Sequence, residues 1–195
     1  MNFEERKKRF LDILMEIAEI INKNSNLINF EKINSLIDLI VKTYGKNRMV
    51  FLYGAGRSGF IGRCFAQRLM HLGIKSCFIS DAVTHRYNDK DLLIIISGSG
   101  ETTSPLAIAE KAKEMGGNLI LFTGNPYSNI AKLSDLIIQI EGKSKEKAII
   151  EESLAPYTTL FDISTLAVLD AVGGVLMKIL GVSEADIDKR HASIE

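Results

Sequence analysis

The apolar positions change period along the chain. From Phe3 to Ile21, Phe10, Ile13, Leu14, Ile17, Ile20 and Ile21 recur at the spacing of an amphipathic helix. Asn22 to Asn29 is polar and turn-like. A second helix is expected from Phe30 to Tyr44, with Ile33, Leu36, Ile37 and Ile40 on one face. Such a pair needs a surface to cover its apolar stripe, either the chain's own core or a partner subunit.

After Gly45 the period is lost and short, wholly apolar runs take over. These are Met49–Tyr53, Ser76–Ser80, Leu92–Ser97, Leu119–Gly124 and Leu136–Ile140. Helical stretches fall between them, at Ser58–Leu72, Thr103–Met115 and Ser128–Ala131. Strands that are apolar at every position and alternate with helices indicate a parallel sheet covered on both faces. The expected fold class is therefore α/β, a doubly wound sheet of five parallel strands. Gly142–Glu152 is charged and reads as a surface loop. A long helix is expected from Thr158 to Leu180, closed by Gly181 as its C-cap. Ser183 with Asp186 reads as the cap of a last short helix. No repeat or linker interrupts the pattern, so residues 1–195 read as one domain. Its N-terminal helices span 3–44, its sheet core 48–140 and its C-terminal helices 158–191.

Composition narrows the class. Of 195 residues, 46% are hydrophobic, enough for a sizeable core, and 24 Lys plus Arg balance 24 Asp plus Glu. A neutral chain is not suited to nucleic acid or an anionic membrane as partner. It also does not oppose self-association. Cys64 and Cys77 lack metal or disulfide spacing and read as reduced core thiols of a cytoplasmic protein. The N-terminus lacks the uninterrupted apolar stretch of a signal peptide, and no segment reads as long enough to span a membrane.

The chemistry sits in two turns. Gly54-Ala55-Gly56-Arg57-Ser58-Gly59 follows the first strand run, and Ser97-Gly98-Ser99-Gly100-Glu101-Thr102-Thr103 follows the third. Each leads into a helix. Glycine admits an anion close to the backbone, and the helix start supplies N–H groups carrying partial positive charge. Hydroxyls of Ser58, Ser97, Ser99 and Thr102 add donors. In a doubly wound sheet both turns lie at the carboxyl ends of strands, where ligands bind. The first turn also fits G-x-G-x-x-G, with Asp81 as the acidic residue that a ribose would need. That fingerprint alone is weak, and the second loop is not part of a dinucleotide fold. The P-loop pattern G-x-x-x-x-G-K-S/T does not occur, since Gly142-Lys143-Ser144 has Ile137 where the first glycine is needed, which excludes a P-loop ATPase.

These two turns resemble the SIS-domain family of phosphosugar isomerases and phosphosugar-binding regulators, over about Met49 to Ile140. Gly54–Gly73 and the terminal Lys189-Arg190-His191-Ala192-Ser193-Ile194-Glu195 resemble the 6-phospho-3-hexuloisomerase branch. The resemblance implies a flavodoxin-like three-layer αβα fold and a homotetramer or homodimer with sites near subunit interfaces. It implies interconversion of 3-hexulose 6-phosphate and fructose 6-phosphate through an enediolate, with no cofactor and no metal. Phosphate binding would fall to Ser58, Ser97, Ser99 and Thr102 with Gly56, Gly98 and Gly100. Proton transfer would fall to Asp162 and His191, with Arg57 beside the phosphate turn to bind phosphate or steady the enediolate. His191 belongs either to its own site or to a neighbour's. Asp162 stands where the family usually has glutamate. Its arm is shorter by about 1.3–1.5 Å, and a misplacement of that size costs about 100-fold in rate if nothing compensates.

Blander readings stand beside these. Asp162 can be an ordinary polar helix position, Arg57 a structural ion-pair partner, and His191 a solvated terminal residue. His71 reads as a helix-face residue, and His85 lies in the loop after the second strand. Glu101 suits a helix first turn. Two further functions fit the residues. One is an arabinose 5-phosphate type of isomerase, echoed by Ala155-Pro156-Tyr157-Thr158-Thr159. The other is a non-catalytic phosphosugar sensor, against which the neutral charge and the lack of a helix-turn-helix weigh.

Overall fold

A computed structural model describes residues 1–142 and 153–193. The expected surface loop at Gly142–Glu152 lies outside the described residues from 143 onward, as do Ile194 and Glu195 of the terminal segment. The elements run α1 (Phe3–Leu27), α2 (Phe30–Gly45), β1 (Val50–Gly54), α3 (Gly56–His71), β2 (Ser76–Phe78), β3 (Leu92–Ile96), α4 (Thr103–Glu114), β4 (Asn118–Thr123), α5 (Asn129–Leu133), β5 (Leu136–Gln139), α6 (Thr159–Leu180) and α7 (Glu184–Asp188).

The strand runs fold as expected because most of their positions can be buried. All five residues of β3 are buried, and the strands pair in parallel in the order β2-β1-β3-β4-β5. Alternate side chains feed two cores. Leu52, Ile94, Ile120 and Phe122 meet α2, α3 and α6 on one face. Phe51, Leu93, Ile95 and Leu121 meet Ala109 and Ala112 of α4 and Ile130 of α5 on the other. In register, Gly54 at the end of β1 lies opposite Ile96 at the end of β3. The strand order reverses between these two strands, so both glycine turns open onto one crevice.

Three sequence readings are corrected, and one left open, the second below, is narrowed. First, α1 continues through the stretch read as a turn, to Leu27. Asn24 makes this possible: its buried amide donates to the Glu141 carbonyl at 2.8 Å and accepts from the Glu141 N–H at 2.8 Å. Second, α2 covers the chain's own core, whereas α1 leaves Phe10, Leu11, Leu14 and Met15 exposed. Third, only Cys77 is a buried thiol; Cys64 is exposed, because Ile61, Phe65 and Leu69 form the core-facing stripe of α3. Fourth, α6 has 22 residues and a window of mean hydropathy 1.8, which by length and composition alone would span a membrane. Its stripe Leu169, Val172 and Leu176 packs into the core beside α3 instead.

Two glycines fix the approach of α3 to β1. A Cβ at Gly59 would lie 2.7 Å from the Gly54 carbonyl oxygen, and one at Gly54 would lie 2.8 Å from the Ser58 carbonyl. Backbone stands on both sides, so neither neighbour yields as a flexible side chain would. Gly59→Ala is expected to cost about 1–3 kcal/mol, read as a lowered urea midpoint at unchanged m-value.

Candidate active site

Three helices begin at the crevice. Gly56, Arg57 and Ser58 of α3, Glu101 and Thr102 before α4, and Tyr157, Thr158, Phe161 and Asp162 at the start of α6 line a cleft of about 470 Å³ with Ser97–Ser99. The first N–H groups of a helix have no partner within it. At α1, α2, α5 and α7 a side chain supplies one: Asn2, Asn29, Ser128 and Ser183. At α3, α4 and α6 no side chain caps the helix; the cap residues are Ala55, Thr102 and Thr158. The helices without side-chain caps are those that open on the cleft. Their orphan donors and dipoles converge there and suit an anion.

The turns are shaped for that purpose. Gly56 has φ +56, and the space where a Cβ would stand is open. Ser97 is buried, and its Oγ accepts the Gly100 N–H at 3.2 Å. Ser99 Oγ lies 3.4 Å from Thr102 Oγ1 and accepts the Glu101 N–H at 3.2 Å. Gly98 makes room for Phe161, whose ring would stand 3.2 Å from a Cβ there. Gly100 does not line the cleft. A Cβ at Gly100 would run into Ser128, so this glycine seats the loop on α5.

Asp162 sits in the first turn of α6 with its side chain 3% exposed. Its Oδ2 accepts Arg57 Nε–H at 3.0 Å, and its Oδ1 accepts Ser58 Oγ–H at 3.1 Å. It is therefore neither an exposed helix position nor a solvated carboxylate. It joins the α6 start to the α3 start, and Arg57 is both an ion-pair partner and a cleft residue. Glu101 precedes α4 instead of lying within its first turn. Its carboxylate accepts the Asn129 N–H at 2.8 Å and the Asn129 amide at 2.7 Å.

The sequence reading missed Tyr157, Thr158 and Phe161. Thr158 has φ 70 and ψ −24, a left-handed conformation that is strained for a β-branched residue. No local signal in the sequence marks these three residues as cleft-lining.

His191 is not brought to the cleft of its own chain. It stacks on His71 at a ring separation of 4.5 Å, at the far end of α3. The 16 residues of α3 make that helix about 24 Å long. His71 is buried rather than a free helix-face residue, and Arg190 donates to its carbonyl at 2.8 Å. His85 lines grooves beside Arg63 and beside Tyr87, away from the cleft.

Residues 44–168 match the family model described as the SIS domain. The chain belongs to the SIS-domain family. A 3-hexulose-6-phosphate isomerase of Methanocaldococcus jannaschii is 44% identical over 84% of this chain and 84% of its own length. One of Bacillus subtilis is 36% identical over 92% of this chain and 97% of its own. A crystal structure from Methanococcus jannaschii, described as implying 3-hexulose-6-phosphate isomerase activity, superposes with a TM-score of 0.79 at 40% identity. It covers 95% of this chain and 98% of that one. The SIS sheet, its two glycine turns and the α6 start thus form the cleft described above.

Burial, the neighbouring His191 and the Arg68 guanidinium hold the His71 imidazole below its ordinary value of 6.5. The native form then binds a proton less readily than the unfolded chain, so protonation favours unfolding. Stability is expected to be full above about pH 6.5 and to fall as the pH is lowered from there. Denaturant midpoints across pH 5–8 check this, and His71→Phe should flatten the acid side.

Proposed function

We propose that the protein interconverts 3-hexulose 6-phosphate and fructose 6-phosphate, the reaction named for its relatives in M. jannaschii and B. subtilis. The observation that carries the proposal is one cleft in which three helix starts without side-chain caps surround a buried carboxylate paired with an arginine. The helix starts and the hydroxyls of Ser58, Ser97, Ser99 and Thr102 suit a phosphate. Gly56 leaves its approach open, and Gly98 admits the Phe161 ring beside it.

The chemistry moves a carbonyl between C3 and C2. Asp162 takes the C2 proton of the 3-hexulose, the electron pair forms the C2–C3 enediolate, and the proton returns at C3 as the carbonyl re-forms at C2. Arg57 stands beside the developing oxyanion. Only its Nε bonds within the chain among the described residues, which leaves its terminal nitrogens for a substrate oxygen. Because Asp162 springs from the first turn of α6 at the cleft wall, its shorter arm starts near the substrate.

His191 would pass the proton between the two oxygens. Its position at the far end of α3 supports giving it to a neighbouring subunit's cleft. The exposed apolar stripe Phe10, Leu14 and Met15 of α1 supports the homotetramer or homodimer that this needs. Residues 1–195 would act as one domain, in the cytoplasm.

Incubation with enzymatically generated 3-hexulose 6-phosphate is expected to yield fructose 6-phosphate, with arabinose 5-phosphate turned over poorly; no turnover of the hexulose phosphate refutes the assignment. Asp162→Asn is expected to lower kcat by about 10²–10⁴-fold. Mixing inactive Asp162→Asn and His191→Ala subunits should restore activity, because about a quarter of randomly paired sites then hold both native residues. Full activity of His191→Ala alone removes that residue from the mechanism.

A further inference from the structure

We propose that Ser58 is a positioning residue that holds the Asp162 carboxylate against the start of α3 until a phosphate group claims its hydroxyl, so that the base turns to the sugar only when phosphate is bound. The inference rests on Asp162 being the proton-abstracting group.

Both carboxylate oxygens of Asp162 are occupied in the structure. Ser58 donates to Oδ1 at 3.1 Å and Arg57 to Oδ2 at 3.0 Å. These bonds aim the buried carboxylate at the start of α3. A base must instead aim a lone pair at a carbon-bound proton in the open cleft. Each oxygen keeps a second lone pair, so what has to change is the direction of the carboxylate and not the number of its hydrogen bonds.

Ser58 has one hydroxyl proton to give. It lies in the first turn of α3, which no side chain caps, on the same cleft wall as Ser97, Ser99 and Thr102. A phosphate dianion held at that helix start is the stronger acceptor, because it carries the larger charge and lies in line with the helix dipole. When the Ser58 hydroxyl turns to phosphate, its lone pairs face Asp162 Oδ1. That oxygen is then buried without a donor and beside electron density, a costly state. Rotation about the aspartate side-chain bonds relieves it by bringing Oδ1 to the cleft. Arg57 is 62% exposed and holds Asp162 through Nε alone, so it can follow the carboxylate while its terminal nitrogens meet the substrate.

The consequence is discrimination in the chemical step. An unphosphorylated sugar that enters the cleft meets a base still tied to Ser58.

The test uses a sugar without phosphate and supplies the dianion separately. Deuterium exchange at the carbon next to the carbonyl of fructose is followed in D₂O, with and without inorganic phosphite. In the native enzyme, phosphite should raise the rate by about tenfold or more, as remote binding is spent on the reacting centre. In Ser58→Ala, the phosphite-free rate should exceed that of the native enzyme, and phosphite should add little. Ser58→Thr, which keeps the hydroxyl, should restore the phosphite response. A Ser58→Ala enzyme with a lower phosphite-free rate, or with an undiminished response, overturns the proposal. A second reading needs no turnover: inorganic phosphate should shift the ¹⁵N-detected Nε–H signal of Arg57 in the native protein. In Ser58→Ala that signal should already stand near the phosphate-bound position. A native signal that saturating phosphate leaves in place also overturns the gating. Failure to convert 3-hexulose 6-phosphate would instead refute the isomerase assignment, since the Arg57 signal reads the coupling independently.

Discussion

The unsatisfied N–H groups at the starts of α3, α4 and α6 are the constraint around which the cleft is organised. A helix start normally recruits a side-chain oxygen, and losing such a cap costs about 1 kcal/mol. The chain follows this rule at α1, α2, α5 and α7 and departs from it at the three helices that open on the crevice. Parallel β1 and β3 end side by side, so the turns that follow them place two of these starts together. The third arrives with α6, which packs against α3. The donors withheld from capping are then available to a ligand, and the strained backbone of Thr158 sits at the same place.

Asp162 turns this anion site into one with chemistry. A buried carboxylate needs partners, since burying a charge unpaired is costly. The partners it finds, Arg57 and Ser58, are themselves residues of the first glycine turn. Under the proposed roles, the base and the phosphate site share hydrogen-bond donors. Binding at one then bears on the geometry of the other without any long-range path.

The sheet was legible from sequence because its strands are apolar at nearly every position instead of at alternate ones, a pattern that a half-exposed strand does not show. Both glycine turns were legible as glycine runs after apolar strands, and the structure uses them so: Gly54 and Gly59 admit the close approach of α3 to β1, Gly56 takes a positive φ, and Gly98 and Gly100 make room for Phe161 and Ser128. The continuation of α1 to Leu27 was not, because it depends on Asn24 pairing with Glu141, a contact between residues far apart in the chain. Tyr157 and Phe161 escaped notice for a related reason: nothing local distinguishes a helix start that faces a cleft from one that faces solvent. His191 was singled out by a terminal motif, yet the chain docks it against His71, far from its own cleft. Residue identity carries the chemistry of that histidine, but its position is set by packing.

The most direct measurement is a crystal structure of the protein with fructose 6-phosphate. The phosphate should lie at the starts of α3 and α4, within hydrogen-bond reach of their first-turn N–H groups and of Ser58, Ser97, Ser99 or Thr102. The sugar should extend toward Arg57 and Asp162. A phosphate bound elsewhere, or a sugar directed away from Asp162, would contradict the account.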